Sequence, residues 1–192
     1  MSATVLVAIA SGSEELETVT IVNVLRRADM EVELVSCEVA PQLTIRCARG
    51  MNLVADKHIS EISTQAYAAI VLPGGMPGAA NLGQCQPLVA LLKQQQAKRQ
   101  WLGAICAAPA QVLAKNDLIL AAKVTGYPSF QDQLPAAQLQ QDSVVVDAQH
   151  KLITSQGPAT ALEFALHLVE QLVGSERRQQ VADAMLVTAS EA

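Results

Sequence analysis

Three apolar runs of strand length, each stopping at a cluster of small residues, constrain this chain most. Thr4 to Ala10 (TVLVAIA) ends at Ser11-Gly12-Ser13, and Tyr67 to Leu72 (YAAIVL) ends at Pro73-Gly74-Gly75. Trp101 to Ile105 (WLGAI) ends at Cys106-Ala107-Ala108-Pro109. Unbroken apolar runs belong to strands covered on both faces, as in a parallel sheet between helices. Glu31 to Ser36 alternates as a further strand, and Leu43 to Val54 reads as short strands. Ser143 to Asp147 and Lys151 to Ser155 read as a strand pair.

The intervening segments carry a helical period. Leu16, Val19, Val22 and Leu25 recur at threes up to Arg26-Arg27, with Ser11 or Ser13 as the expected cap. Helices are also expected over Pro87 to Lys98 and Ala107 to Lys115. Gly157-Pro158 opens a long helix with Ala161, Leu162, Ala165, Leu166, Val169, Leu172 and Val173 inward, and Ser175 caps a last one. Alternating strands and helices predict a flavodoxin-like three-layer α/β/α sandwich with a mostly parallel sheet, one domain over residues 1–192.

Composition narrows the function. The 192 residues are 51% hydrophobic and 16% charged, with net charge −5 and 13 scattered Lys and Arg. Stable nucleic-acid binding needs clustered cations and is not expected. The apolar runs are too short to span a bilayer, and no basic flank marks a signal peptide, so a cytoplasmic location is the expectation. Cys37, Cys47, Cys85 and Cys106 form no CxxC pair, and no His stands at metal-ligand spacing. Neither a metal nor a cofactor is expected.

In a parallel sheet, the three strand ends open onto one edge. A residue at a strand-to-helix turn is held exposed and strained, and Ala104, Ala107, Ala108 and Ala110 let the turn be tight. A thiol at Cys106 would face the positive end of the next helix, which lowers its pKa. The N–H groups of Gly75 and Ala107 would point at a developing oxyanion, with Gly74 and Gly75 allowing close backbone approach. Glu17, in the first turn of its helix, would reach the sulfur and move a proton. Each feature alone has an ordinary structural reading; the conjunction carries the signal.

The motifs AICAAP (Ala104 to Pro109), GSEELETV (Gly12 to Val19) and LPGG (Leu72 to Gly75) resemble the ThiJ/PfpI superfamily, in its YajL branch. RCARG (Arg46 to Gly50) and TSQGPATALEFAL (Thr154 to Leu166) extend the resemblance over nearly the whole chain. It implies a homodimer with an oxidation-sensitive nucleophile matched by Cys106 and a protonated glutamate matched by Glu17. The oxyanion-type amides fall on Gly75 and Ala107. Arg49, Arg27, Tyr127 and Pro158 match positions near the substrate pocket or the dimer contact, and Cys47 matches a peripheral cysteine. The implied substrates are small reactive aldehydes such as methylglyoxal, or early glycation adducts on proteins and nucleotides. The alternative is a redox-regulated chaperone or thiol sensor. Ala107 stands where protease-like members carry His, so a Cys–His dyad is not expected. Tyr127 stands where animal members place a His near the cysteine.

Overall fold

The computed structural model describes residues 4–39, 42–62 and 67–187. The three apolar runs become β1 (Thr4–Ile9), β6 (Ala69–Leu72) and β7 (Trp101–Ile105), with β6 and β7 buried at every position and β1 at all but Thr4. They lie side by side and parallel, because β1 pairs with β6 and β6 with β7. The other elements include α1 (Glu15–Arg27), β2 (Glu31–Ser36), β3 (Thr44–Arg46), β4 (Asn52–Val54) and β5 (Lys57–His58). Further along come α2 (Gly78–Gln84), α3 (Gln86–Ala97), β8 (Val144–Asp147), β9 (Leu152–Ser155), α4 (Ala161–Val173) and α5 (Ser175–Ala184).

The main sheet runs β5-β2-β1-β6-β7-β9-β8. Only β8 is antiparallel, paired to β9 with Val144 opposite Ser155; β3 and β4 form a separate antiparallel pair. Helices α1, α4 and α5 pack against one another, while α2 and α3 pack together beside the turn after β7. This is the expected mostly parallel flavodoxin-like sandwich. Gly103 permits close packing on the sheet, since a Cβ there would meet Phe164 at 3.1 Å and Leu168 at 3.3 Å.

Several local expectations are corrected. The cap of α1 is Glu14, whose Oε2 accepts from Glu17 N–H at 2.8 Å. Ser13 is fully buried and its hydroxyl instead accepts from Ala10 N–H at 3.0 Å, closing the end of β1. Ser175 is the first residue of α5, preceded by Gly174. The segment after Cys106 is not a regular α-helix. Pro109–Leu113 is a π turn, closed by Ala114 N–H on Pro109 O, and a 3-10 turn follows. In α4, Phe164 and Leu168 are buried, Leu162 and Leu172 lie partly buried, and Val173 is exposed.

The short helix α2 has no periodic signal because its sequence, GAANLGQ, is rich in Gly and Asn. It forms by packing. Gly78 sits so close to the turn after β1 that a Cβ would lie 2.2 Å from Ser13 N. Gly78→Ala is therefore expected to push α2 off this turn and destabilise the fold by about 1–3 kcal/mol. Urea denaturation measures this, and an unchanged midpoint would contradict the packing account.

Candidate functional site

Cys106 ends β7 in a left-handed conformation, φ +63°. An L-residue with a side chain pays for that geometry in strain, so the surroundings must hold it. Its N–H donates to Ser155 O at 2.9 Å on β9, and its carbonyl accepts from Tyr127 N–H at 2.8 Å. Both bonds lock the elbow.

Two glycines make room beside it. A Cβ on Gly74 would lie 2.5 Å from Cys106 Cβ, and one on Gly75 (φ +84°) 2.4 Å from Gly12 O. Gly74 N–H donates to Glu17 Oε2 at 2.7 Å, and Gly74 O accepts from Glu14 N–H at 3.0 Å. The N–H groups of Gly75 and Ala107 both reach the Cys106 sulfur and favour its ionised form.

Glu17 is fully buried. Its Oε1 has no conventional hydrogen-bond partner; the carboxyl's other polar neighbour is the Cys106 thiol, in a weaker contact. Burial is the main reason that the Glu17 pKa rises to about 7, helped by the charge of Glu14 and opposed by Gly74 N–H and Cys106. Burial also pushes the Cys106 thiol up, to about 12, with the Glu17 charge next and the two backbone amides opposing. The expectation of a lowered thiol pKa is thus corrected for the ionised-Glu17 state. The turn after Cys106 is a short π turn rather than a long helix, and its partial charge does not offset burial beside a carboxylate. The two groups share a single negative charge, and their proton is the variable part of the site.

A pocket of about 320 Å³ opens above the sulfur. Cys106, Gly75, Ala107, Arg49, Tyr127 and Pro158 line it, as do Glu14, Ala48, Met76 and Phe130. Glu17 and Gly74 are not in the lining; Glu17 lies buried behind it. Tyr127 is half-exposed, and its ring faces Phe130 with centroids 6.4 Å apart. Arg27 is elsewhere, at the far end of α1. It donates to Asn23 Oδ1 at 2.7 Å and borders a groove with Val19, Val22 and Leu53. Cys47 is buried and offers its thiol to Ile45 O at 3.9 Å.

Glu15 was missed as a site residue. Burial alone would raise its pKa, but N–H groups of Glu15, Arg49 and Met51, with the Arg49 charge, bring it below the ordinary range. Its carboxylate accepts from Arg49 N–H at 3.0 Å and Met51 N–H at 3.4 Å, which fixes the loop that carries Arg49 to the pocket. Three carboxyls crowded in one turn are the signal that could have found it, since a helix dipole alone does not require so many. The described residues contain no group of His, Cys, Asp and Glu able to hold a metal.

A family model described as the DJ-1/PfpI family matches residues 3–171. The chain is 38% identical over 186 residues to an Arabidopsis thaliana protein named DJ-1 homolog A, covering 96% of this chain and 46% of that protein. It therefore spans less than half of that relative. A Caenorhabditis elegans protein named as a glutathione-independent glyoxalase is 34% identical over 167 residues, 86% of each chain. Among solved structures, oxidised Toxoplasma gondii DJ-1 superposes with a TM-score of 0.93 at 40% identity, covering 96% of this chain and 98% of that one.

The raised Glu17 value sets a pH dependence. The folded state holds this proton more tightly than the unfolded chain, where the carboxyl returns to 4.5. That stabilisation is complete below pH 4.5 and is lost as pH rises through about 7. Glu17→Gln is expected to keep about 3 kcal/mol that wild type loses across this window. Urea unfolding at several pH values checks this, and parallel profiles for the two proteins would refute it.

Proposed function

The chain belongs to the DJ-1/PfpI family, and we propose that it is a cofactor-independent cysteine enzyme acting on methylglyoxal, glyoxal or their early glycation adducts. One observation carries the reading: a strained thiol, Cys106, touches a buried proton-holding carboxyl, Glu17, at the floor of a small pocket. The named activity of the C. elegans relative favours the same chemistry.

In this proposal Cys106 loses its proton to Glu17 and attacks the aldehyde carbon of methylglyoxal. The C=O double bond opens, and Glu17 passes the thiol's proton on to the oxygen, giving a hemithioacetal and leaving the carboxylate free to act as base. The N–H groups of Gly75 and Ala107 face the developing charge. Glu17 removes the proton on that carbon and returns it to the neighbouring one, so the former ketone becomes an alcohol and the sulfur-bearing carbon a thioester. Water cleaves the thioester, releasing lactate and restoring the thiol. Dicarbonyl and water together equal lactic acid, so no external oxidant or reductant is needed. Arg49 and Tyr127 offer donors to substrate oxygens at the rim. Ala107 supplies no imidazole, so Glu17 serves as both acid and base.

The exposed apolar side chains Leu16 and Val19 of α1 and Val54 of β4 favour pairing of two copies through this face, near Arg27. A thiol sensor is the second reading, because the same sulfur would react with oxidants.

Lactate formation from methylglyoxal without glutathione tests the main reading. Wild type is expected to turn over, with Cys106→Ser inactive and Glu17→Gln slower by at least about 10²-fold. Alkylation of Cys106 in wild type should set in only at high pH, because burial and the Glu17 charge push the thiol up to about 12, and it should begin at lower pH in Glu17→Gln, where that charge is gone. Full turnover in Cys106→Ser would reject the enzyme. Peroxide uptake at Cys106 without any turnover would favour the sensor.

A further inference from the structure

A second cavity lies away from the Cys106 pocket, at the opposite end of β7. That strand begins at Trp101 and ends beside Cys106. At its start Leu102 N–H donates to Lys151 O at 2.9 Å, which ties the strand to the hairpin between β8 and β9. Here a cavity of about 280 Å³ is lined by Gln96, Arg99, Leu120, Gln149, His150 and Lys151. None of these residues lines the pocket above Cys106.

The lining is cationic, although the chain carries a net charge of −5. It holds an Arg, a Lys and a His, with no Asp or Glu. Arg99 donates through Nη2 to Gln149 O at 3.3 Å, and a guanidinium has further N–H groups to offer a ligand. Lys151 Nζ stands 4.7 Å from the centre of the Trp101 ring, a cation–π contact that positions the ammonium without neutralising it. Among the described residues neither cation has a carboxylate partner. His150 differs. Its N–H and its Nδ1 both meet Asp147 Oδ1 at 3.0 Å, and Asp147 Oδ2 accepts from Lys123 N–H at 2.9 Å. That carboxylate is engaged by its own hairpin, holds the imidazole in place, and stays out of the lining. Gln96 is held too, with its amide donating to Leu118 O at 2.7 Å.

Arg99 (φ +53°), Leu120 (φ +53°) and Lys151 (φ +56°) all have left-handed backbone. Residues with side chains seldom adopt it, and those that do gather at ligand sites. Three of them around one cavity fix where the two cations leave the backbone.

We propose that this cavity binds a phosphate group, carried by inorganic phosphate or by a small phosphate monoester. A guanidinium fork and an ammonium point charge together suit phosphate oxygens, which lie around one doubly charged centre. A phosphate monoester carries roughly −1.5 to −2 at neutral pH, so two cations match it better than they match a single carboxylate. The volume stands near the lower end of ligand pockets, which leaves room for the phosphate and a short carbon chain. Leu120, 61% exposed, gives that chain an apolar rim.

The site does not depend on the proposed dicarbonyl chemistry, and its test needs no turnover. Trp101 is the chain's single Trp, so its emission reports on the Lys151 ammonium over the ring. Glycerol 3-phosphate, inorganic phosphate, succinate and sodium chloride are titrated at matched ionic strength. Phosphorus NMR line width gives a second readout for the two phosphates. A saturable change with phosphate ligands is expected, absent with chloride and weaker with succinate. Arg99→Asn and Lys151→Asn should each weaken binding by at least about tenfold, since Asn tolerates the left-handed turn but carries no charge. Lys93→Asn, on α3 outside the lining, and Cys106→Ser should bind as wild type does. Tighter binding of glycerol 3-phosphate identifies a monoester as the ligand; equal or weaker binding identifies inorganic phosphate. A response that follows ionic strength alone, or succinate binding as well as phosphate, would overturn the proposal. Line broadening that persists unchanged in both the Arg99→Asn and Lys151→Asn proteins would do the same. The wild-type titrations decide by themselves, so a variant that fails to fold leaves the test intact.

Discussion

Gly74 donates its N–H to the Glu17 carboxyl at 2.7 Å, accepts from Glu14 N–H at 3.0 Å, and lies against the Cβ of Cys106. Three strand ends meet through this one residue, which has no side chain. Any Cβ there would collide with Cys106 and with Ala107 N at 2.9 Å. The thiol, the carboxyl and the amides are therefore neighbours because the backbone of one loop passes between the other two. The collar around it is held the same way: Gly12 N–H on Arg46 O and Ala48 N–H on Ser13 O, both 2.9 Å, dock the loop that brings Arg49 to the pocket.

That close approach sets the electrostatics. Glu17 is sealed from solvent behind the turn, with one strong backbone donor and one weak sulfur contact. Such a carboxyl resists ionising, and a thiol beside it resists joining it in the charged state. A pair restricted to one negative charge can pass a proton between sulfur and oxygen with little change in its total charge. This is the property that the proposed chemistry uses. Glu15, two residues earlier, faces several backbone donors and keeps its charge. Two positions of one helical turn thus hold carboxyls of opposite character, because one reaches Gly74 and Cys106 and the other the loop of Arg49 and Met51.

The thiols show a parallel contrast. Cys106 is strained, and burial first and the Glu17 charge second raise its pKa, whereas Cys85 is lowered, chiefly by the Cys37 thiol and then by the Leu88 amide and the His58 ring.

Much of this was legible in the residues themselves. Apolar runs ending in small-residue turns identify β1, β6 and β7, because only strands covered on both faces tolerate such runs. The Cys106 turn and the glycine pair were readable for the same local reason, and Glu17 from its place in the first helical turn. What the sequence left open depends on contacts between distant segments. The cap moved to Glu14 because Ser13 is spent on β1, and α2 exists because Gly78 packs on that turn. Arg27 and Arg49 look alike as basic residues, yet only Arg49 is carried to the pocket, by the Glu15 carboxylate. The direction of the Cys106 pKa was also decided by the tertiary structure. It depends on burial and on through-space neighbours, which local pattern and propensity do not encode.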